Sequence, residues 1–125
     1  MTLDEIPFAK LLGIEVESME AGVATLSMKL RDDLKRNGGI AHGGAIATLI
    51  DSAMAFAIVP LLAENERSIT VDLTIHYLRP LSEGSARATA RVVRAGKRVI
   101  TVSAELFDEN EKLVATAIST YLRLI

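Results

Sequence analysis

The chain has 125 residues, a length that suits one domain and is short for two. Half of the residues are hydrophobic but only 4% are aromatic, so the core is expected to consist mainly of alanine, valine, leucine and isoleucine. A formal net charge of -2 argues against nucleic-acid binding, and the absence of cysteine excludes disulfides and thiolate metal sites.

The N-terminus is acidic and lacks the basic and apolar stretches of a secretory signal. The apolar run over 41–63 has the length of a membrane span, but an aspartate, a glycine pair and a proline interrupt it. We therefore expect a cytoplasmic protein that does not cross the membrane.

The first half of the chain predicts two helices and two strands. Proline near its start and glycine after its end favour the short first helix, and alternating apolar and polar residues favour the strands. A nearly unbroken apolar run is typical of a fully buried second helix. In chain order the elements are a helix over 8–12, strands over 15–19 and 23–30, a polar loop over 31–41 and a helix over 43–59.

The second half of the chain carries only strand patterns. From Ile69 to Tyr77 apolar residues alternate strictly with polar ones, which predicts that Ile69 and Tyr77 share one face and that Thr70 and His76 share the other. Three further strands are separated by turn sequences. The four predicted strands cover 69–77, 85–93, 99–107 and 113–124. We expect a single α+β domain over 1–125, in which a mainly antiparallel sheet of about six strands wraps one long helix.

Asp51 is the most informative residue, because it is a carboxylate in the middle of the most apolar run. Burying a carboxylate is costly unless a partner stabilises it or a reaction uses it. At 100° per residue Asp51 shares its helix face with Gly44, Ala47, Thr48, Ala55 and Ile58, and four of these five are small. The acid is therefore expected to face a gap that a strand, a partner subunit or a substrate fills.

The segments NGGIAHGGAIATLID (37–51) and TVDLTIHYLRP (70–80) resemble the hotdog-fold acyl-CoA thioesterases, and the likeness is closest to the PaaI-like, phenylacetate-degradation subgroup. It covers essentially the whole chain. The resemblance implies the hotdog fold and hydrolysis of an acyl-CoA thioester without a metal or redox cofactor. It also implies an active site between two subunits, in a dimer that is often paired into a tetramer.

The resemblance further implies roles for individual residues. The backbone N–H of Gly43 would bind the thioester carbonyl at the positive end of the helix dipole. Asp51 would act as nucleophile or general base, Thr70 would hold the hydrolytic water, and His42 would lie near the leaving sulfur or fix the loop. The family has an asparagine six residues before this histidine, whereas Asn37 lies five before it, which leaves its contact with the site open.

Residues on the helix are expected to line the acyl pocket, and three cations are candidates for contacts with the coenzyme A phosphates. The other interpretation is a solvated turn for Lys97 and Arg98, and an interface contact for Arg79. These substrate-binding candidates are Gly44, Ala47, Met54, Ala55, Arg79, Lys97 and Arg98.

Alternative interpretations stay open at this point. Asp51 is also compatible with a purely structural acid, and His42 with a loop residue that only bonds the backbone. A hotdog enoyl-thioester hydratase or dehydratase uses a histidine and an acid as well, although the spacing here resembles that of the thioesterases. A non-catalytic acyl-CoA-binding module is the third possibility.

Overall fold

The computed structural model describes residues 1–125, in which one long helix packs against a six-stranded sheet. Short 3-10 turns precede the first helix and the long helix, and a third follows the long helix. The helices and strands are α1 (Pro7–Leu11), β1 (Glu15–Glu20), β2 (Val23–Lys29), α2 (Gly43–Ile58), β3 (Arg67–Tyr77), β4 (Ser85–Ala95), β5 (Val99–Phe107) and β6 (Leu113–Leu124). Every predicted helix and strand is present, and the predicted α+β architecture is confirmed.

The sheet has the strand order β1-β2-β4-β5-β6-β3, and every neighbouring pair is antiparallel. The strands β1 and β3 therefore form its two edges. Since β3 carries Thr70, one of the predicted site residues lies on a strand that is paired only on its β6 side.

The helix α2 lies across the middle of the sheet and buries its bulky side chains there. Ile46, Leu49, Ile50 and Phe56 are at most 3% exposed, and completely buried alanines on β4 leave room for the helix to approach the sheet. Its opposite face, which includes Asp51, is partly open, as the small residues on that face predict. By length and hydropathy alone the segment Gly43–Leu61 is long enough to cross a membrane, and half of it is buried inside the domain.

A β-bulge at Val71 corrects the strict alternation predicted for β3. Thr70 pairs with Tyr121, but the next pair joins Asp72 to Thr120, so Val71 is an extra residue on β3. The bulge shifts the pleat by one position, and Thr70 and Tyr77 consequently share the face towards α2. The predicted assignment of these two residues to opposite faces is wrong, because alternation within one strand does not reveal an inserted residue.

Candidate active site

Two hydroxyl groups hold the Asp51 carboxylate on the partly open face of α2. The Tyr121 hydroxyl donates to Oδ1 at 2.5 Å, and the Thr70 hydroxyl donates to the same oxygen at 3.1 Å. Tyr121 and Thr70 are directly paired across β6 and β3, so both side chains reach α2 from one position in the sheet. The other carboxylate oxygen, Oδ2, accepts no hydrogen bond from the protein.

Tyr121 is a functional candidate that the sequence analysis missed. Its side chain is 2% exposed, and its hydroxyl also lies 3.1 Å from the backbone oxygen of Asp51. Burial, and next the adjacent carboxylate of Asp51, raise the pKa of this phenol, so that it stays a protonated donor. In the sequence Tyr121 is recognisable only as an inward-facing tyrosine near the end of the last strand. This position does not reveal which residue of the helix lies opposite.

The N-terminus of α2 has one free donor, the N–H of Gly43. His42 is the N-cap, and its Nδ1 accepts a hydrogen bond from the N–H of Gly44 at 2.8 Å. This contact requires that Nδ1 carry no proton. The N–H of Gly43 has no acceptor within the chain and lies at the positive end of the helix dipole. In this chain His42 therefore bonds the backbone, which is the contact expected if it serves only as a loop residue.

Tyr77 fixes the start of α2 against the end of β3. Its hydroxyl donates to the carbonyl oxygen of Gly43 at 2.8 Å. A Cβ atom at Gly43 would lie 3.3 Å from this hydroxyl, so the absence of a side chain allows the close approach. The bulge at Val71 makes this contact compatible with the contact of Thr70 to Asp51, because it brings both side chains to the same face.

Open hollows adjoin both ends of this arrangement. A hollow of about 510 Å³ lies beside Gly43 and is lined partly by Arg36, Tyr77 and Arg79. A second hollow of about 300 Å³ contains Asp51 and Ala47 on its α2 side. Its remaining walls are predominantly apolar. The structure thus offers space next to the free N–H and next to the carboxylate, two groups that can polarise and attack a carbonyl.

The remaining predicted site residues are dispersed. Met54 is completely buried in the core, so the prediction that it lines the acyl pocket is corrected: no substrate reaches it in this chain. Asn37 is exposed, its side-chain oxygen accepts a hydrogen bond from Arg36, and it makes no hydrogen bond to Asp51 within one chain. Ala55 lies one turn beyond Asp51 on the partly open face of α2, and Gly44 is exposed at its start.

The cations predicted to meet phosphates lie at opposite ends of the sheet. Arg79 follows the end of β3 and adjoins the hollow beside Gly43. Lys97 and Arg98 lie in the β4–β5 turn. The backbone oxygen of Arg98 accepts a hydrogen bond from the N–H of Arg123 on β6, and Arg123 is paired with the start of β3. The full length of β3, about 30 Å, separates the two groups. They form no common anion site within one chain.

Comparisons with known proteins match both the sequence and the fold. The sequence profile of the thioesterase superfamily matches residues 38–115. The medium/long-chain acyl-CoA thioesterase YigI of Escherichia coli strain K12 is 32% identical, over 98% of this chain and 88% of its own length. The acyl-coenzyme A thioesterase PaaI of the same strain is also 32% identical, over 86% of this chain and 75% of its own length.

The solved structure of the E. coli PaaI protein from the phenylacetic acid degradation operon superimposes with a TM-score of 0.90 and 28% identity. The superposition covers 98% of this chain and 88% of that one. The shared architecture is the hotdog fold, which agrees with the fold expected from the sequence.

Proposed function

Because this chain belongs to the thioesterase superfamily, and is an acyl-CoA thioesterase of the PaaI-like type, we propose that Asp51 performs the hydrolysis as nucleophile or general base. The observation that carries the proposal is the carboxylate itself. It lies on the open face of an otherwise apolar helix, and both of its hydrogen bonds come from Thr70 and Tyr121. This arrangement leaves one oxygen, Oδ2, for the reaction.

The hydrogen bonds to Oδ1 support a defined orientation of the reacting oxygen. Two donors on one carboxylate oxygen fix the plane of the carboxylate and direct Oδ2 away from the sheet. The Thr70 hydroxyl donates its single proton to Asp51 and keeps lone pairs that can accept from a water molecule. Thr70 is thus suited to hold the hydrolytic water beside the carboxylate.

The Gly43 N–H is suited to activate the thioester carbonyl for attack. A donor without an acceptor at a helix N-terminus stabilises negative charge that develops on a carbonyl oxygen during attack. In the general-base route, Oδ2 takes a proton from water and the water oxygen bonds to the acyl carbon. The carbon–sulfur bond then breaks, and the sulfur takes the proton back from Asp51 as coenzyme A leaves. In the nucleophilic route, Oδ2 itself bonds to the acyl carbon, coenzyme A leaves, and water then hydrolyses the resulting anhydride.

The spacing along α2 supports a site that two copies of the chain complete. Gly43 and Asp51 are eight residues apart, and a rise of about 1.5 Å per residue separates their backbones by roughly 12 Å. An attacking oxygen lies about 3–3.5 Å from the carbonyl carbon, and a donor lies about 3 Å from the carbonyl oxygen. One thioester is too small to bridge both groups of one helix, so we assign Gly43 of one copy to Asp51 of the other.

The open edge of the sheet supports the same assembly. Ile69 and Val71 on β3 are 50% and 55% exposed, and an edge strand with exposed apolar residues tends to pair with another chain. A dimer that joins the two β3 strands would cover this edge. We propose this dimer as the smallest active unit, with a tetramer as a further pairing of dimers.

The decisive experiment measures thiol release from a panel of acyl-CoAs. Asp51→Asn keeps the size of the side chain and removes the carboxylate, and we expect turnover to fall by about 10²- to 10⁴-fold while the fold and assembly persist. Asp51→Ala is expected to be at least as slow. Undiminished hydrolysis by the Asn variant would contradict the role of Asp51, and hydration of an enoyl-CoA without thiol release would favour the hydratase alternative.

Thr70→Ala separates the water-holding role from the attacking group. We expect a smaller loss than in Asp51→Asn, roughly tenfold, because one hydrogen bond to the carboxylate and the water contact are removed. Thr70→Ser keeps the hydroxyl and is the matched control. A wild-type rate in Thr70→Ala would reject the assignment.

A further inference from the structure

The open face of α2 carries a trough of which the mechanism above uses only Asp51. One hollow of about 300 Å³ contains Asp51, and a neighbouring hollow of about 460 Å³ begins at His42 and Gly44. Phe8 and Thr48 line both hollows, so the two meet at these residues. The trough therefore runs along α2 from its N-terminus to the carboxylate, with Phe8 at its middle.

The sequence explains why the trough exists. Gly44, Ala47 and Thr48 lie on one face of α2, and their small side chains leave a depression along the helix. On the other side α1 supplies Phe8, which is 58% exposed although an aromatic side chain is usually buried. Pro7 at the first position of α1 and Ala9, 1% exposed, anchor this short helix against the core. Phe8 is thus held open towards the trough.

The walls around Asp51 are mostly hydrocarbon, with the hydroxyl-bearing Thr48 and Ser52 as the polar exceptions. Ile6, Phe8, Ala47 and Leu73 line the hollow that contains the carboxylate. The Thr48 hydroxyl is already used, since it donates to the carbonyl oxygen of Gly44 at 2.8 Å. A polyphosphate would meet the negative charge of Asp51 there, and no cation lines this hollow. An apolar group fits the walls of this hollow, and the nucleotide part of coenzyme A does not. The charged residues Asp33 and Lys35 line only the neighbouring hollow, on the far side of Phe8.

We infer that this trough binds the acyl group of the substrate and that Phe8 sets which acyl groups are preferred. The inference rests on the proposed function, because the thioester carbonyl must lie at Asp51. The acyl group then extends along Ala47 and Thr48 and covers the exposed ring of Phe8. Acyl groups that reach the ring, namely medium-length alkyl chains and aryl-substituted chains, gain this contact. Acetyl and other short groups do not reach it.

The test compares Phe8→Ala with the wild type in thiol release from acetyl-, butyryl-, octanoyl- and phenylacetyl-CoA. We expect kcat/KM for octanoyl- and phenylacetyl-CoA to fall about tenfold or more relative to acetyl-CoA. The loss of one apolar contact typically changes the ratio of kcat/KM values between two substrates by this factor. Leu11→Ala is the matched control. Leu11 is 67% exposed on the same helix and lines neither hollow, so its variant should keep the wild-type preference.

The outcomes separate the inference from the proposed function. If the wild type releases thiol from none of these substrates, the proposed function fails. If the wild type is active and Phe8→Ala keeps the same ratio of rates, only the acyl assignment is overturned. The molecular mass in solution is measured in parallel. A Phe8→Ala variant that dissociates into monomers would overturn the assignment too, because it would show that another copy of the chain covers the ring.

Discussion

The contact between Tyr121 and Asp51 makes a specific prediction about catalysis. In Tyr121→Phe the ring that fills the core remains and only the hydroxyl is lost. The variant keeps the hydrogen bond of Thr70 to Oδ1 at 3.1 Å and loses the 2.5 Å contact. A hydrogen bond to a charged group is worth about 1.5–3 kcal/mol, which corresponds to roughly 10- to 150-fold in rate if it acts fully in the transition state.

The loss is expected in kcat and not in KM, because Tyr121 is only 2% exposed and its hydroxyl is used by Asp51. A fall in kcat at unchanged KM separates this positioning role from a role in substrate binding.

The assay is thiol release over a range of acyl-CoA concentrations, with Tyr77→Phe as the control. Tyr77 also donates a phenolic hydroxyl, but to the carbonyl oxygen of Gly43, so its variant keeps both hydrogen bonds to the Asp51 carboxylate. A Tyr121→Phe enzyme with kcat within about twofold of wild type would refute the positioning role. Thermal unfolding of both variants checks that the rates refer to folded protein.

Three further predictions concern the helix cap, a turn and an ion pair. His42→Ala should lower the free energy of unfolding by about 1 kcal/mol, because it removes the N-cap acceptor; a large loss of kcat at unchanged stability would instead indicate direct chemistry. Gly84→Ala should cost about 1–2 kcal/mol in chemical denaturation, because φ is +80° and a Cβ atom would collide with the Glu109 carboxylate; an unchanged midpoint would contradict this. The backbone N–H of Ala63, and next Arg123, lower the pKa of Glu66. Their stabilisation is present at neutral pH and lost as the carboxyl protonates in acid. Glu66→Gln should therefore lower Tm at neutral pH, and the difference from wild type should vanish in acid.

Much of the fold follows from periodicity in the sequence. The apolar run of α2 and the alternation in β2, β5 and β6 reflect burial against a single sheet, which depends on local sequence order. Asp51 and the glycine turn were identifiable for the same reason, since a charge in an apolar helix and a glycine pair at its start are local features. These are the parts of the site that lie on one element.

The parts that the sequence did not predict depend on how elements meet. Tyr121 is 70 residues from Asp51 and reaches it only because β6 lies beneath α2. Met54 differs from Ala55 by one position, yet one is buried in the core and the other lies on the partly open face. A helical wheel gives the relative directions of these two side chains but not which neighbours surround each of them.

The bulge at Val71 connects the two ends of the site. In a strictly alternating strand Thr70 and Tyr77 point to opposite faces, because they are an odd number of residues apart. Their hydrogen bonds to Asp51 and to Gly43 both require the face towards α2. The inserted residue reconciles the two contacts, so one edge strand orients the carboxylate and also fixes the helix start that carries the free N–H. Since the same strand is one of the two edges of the sheet, pairing it with a second copy would bring both of these positioned groups to the dimer interface.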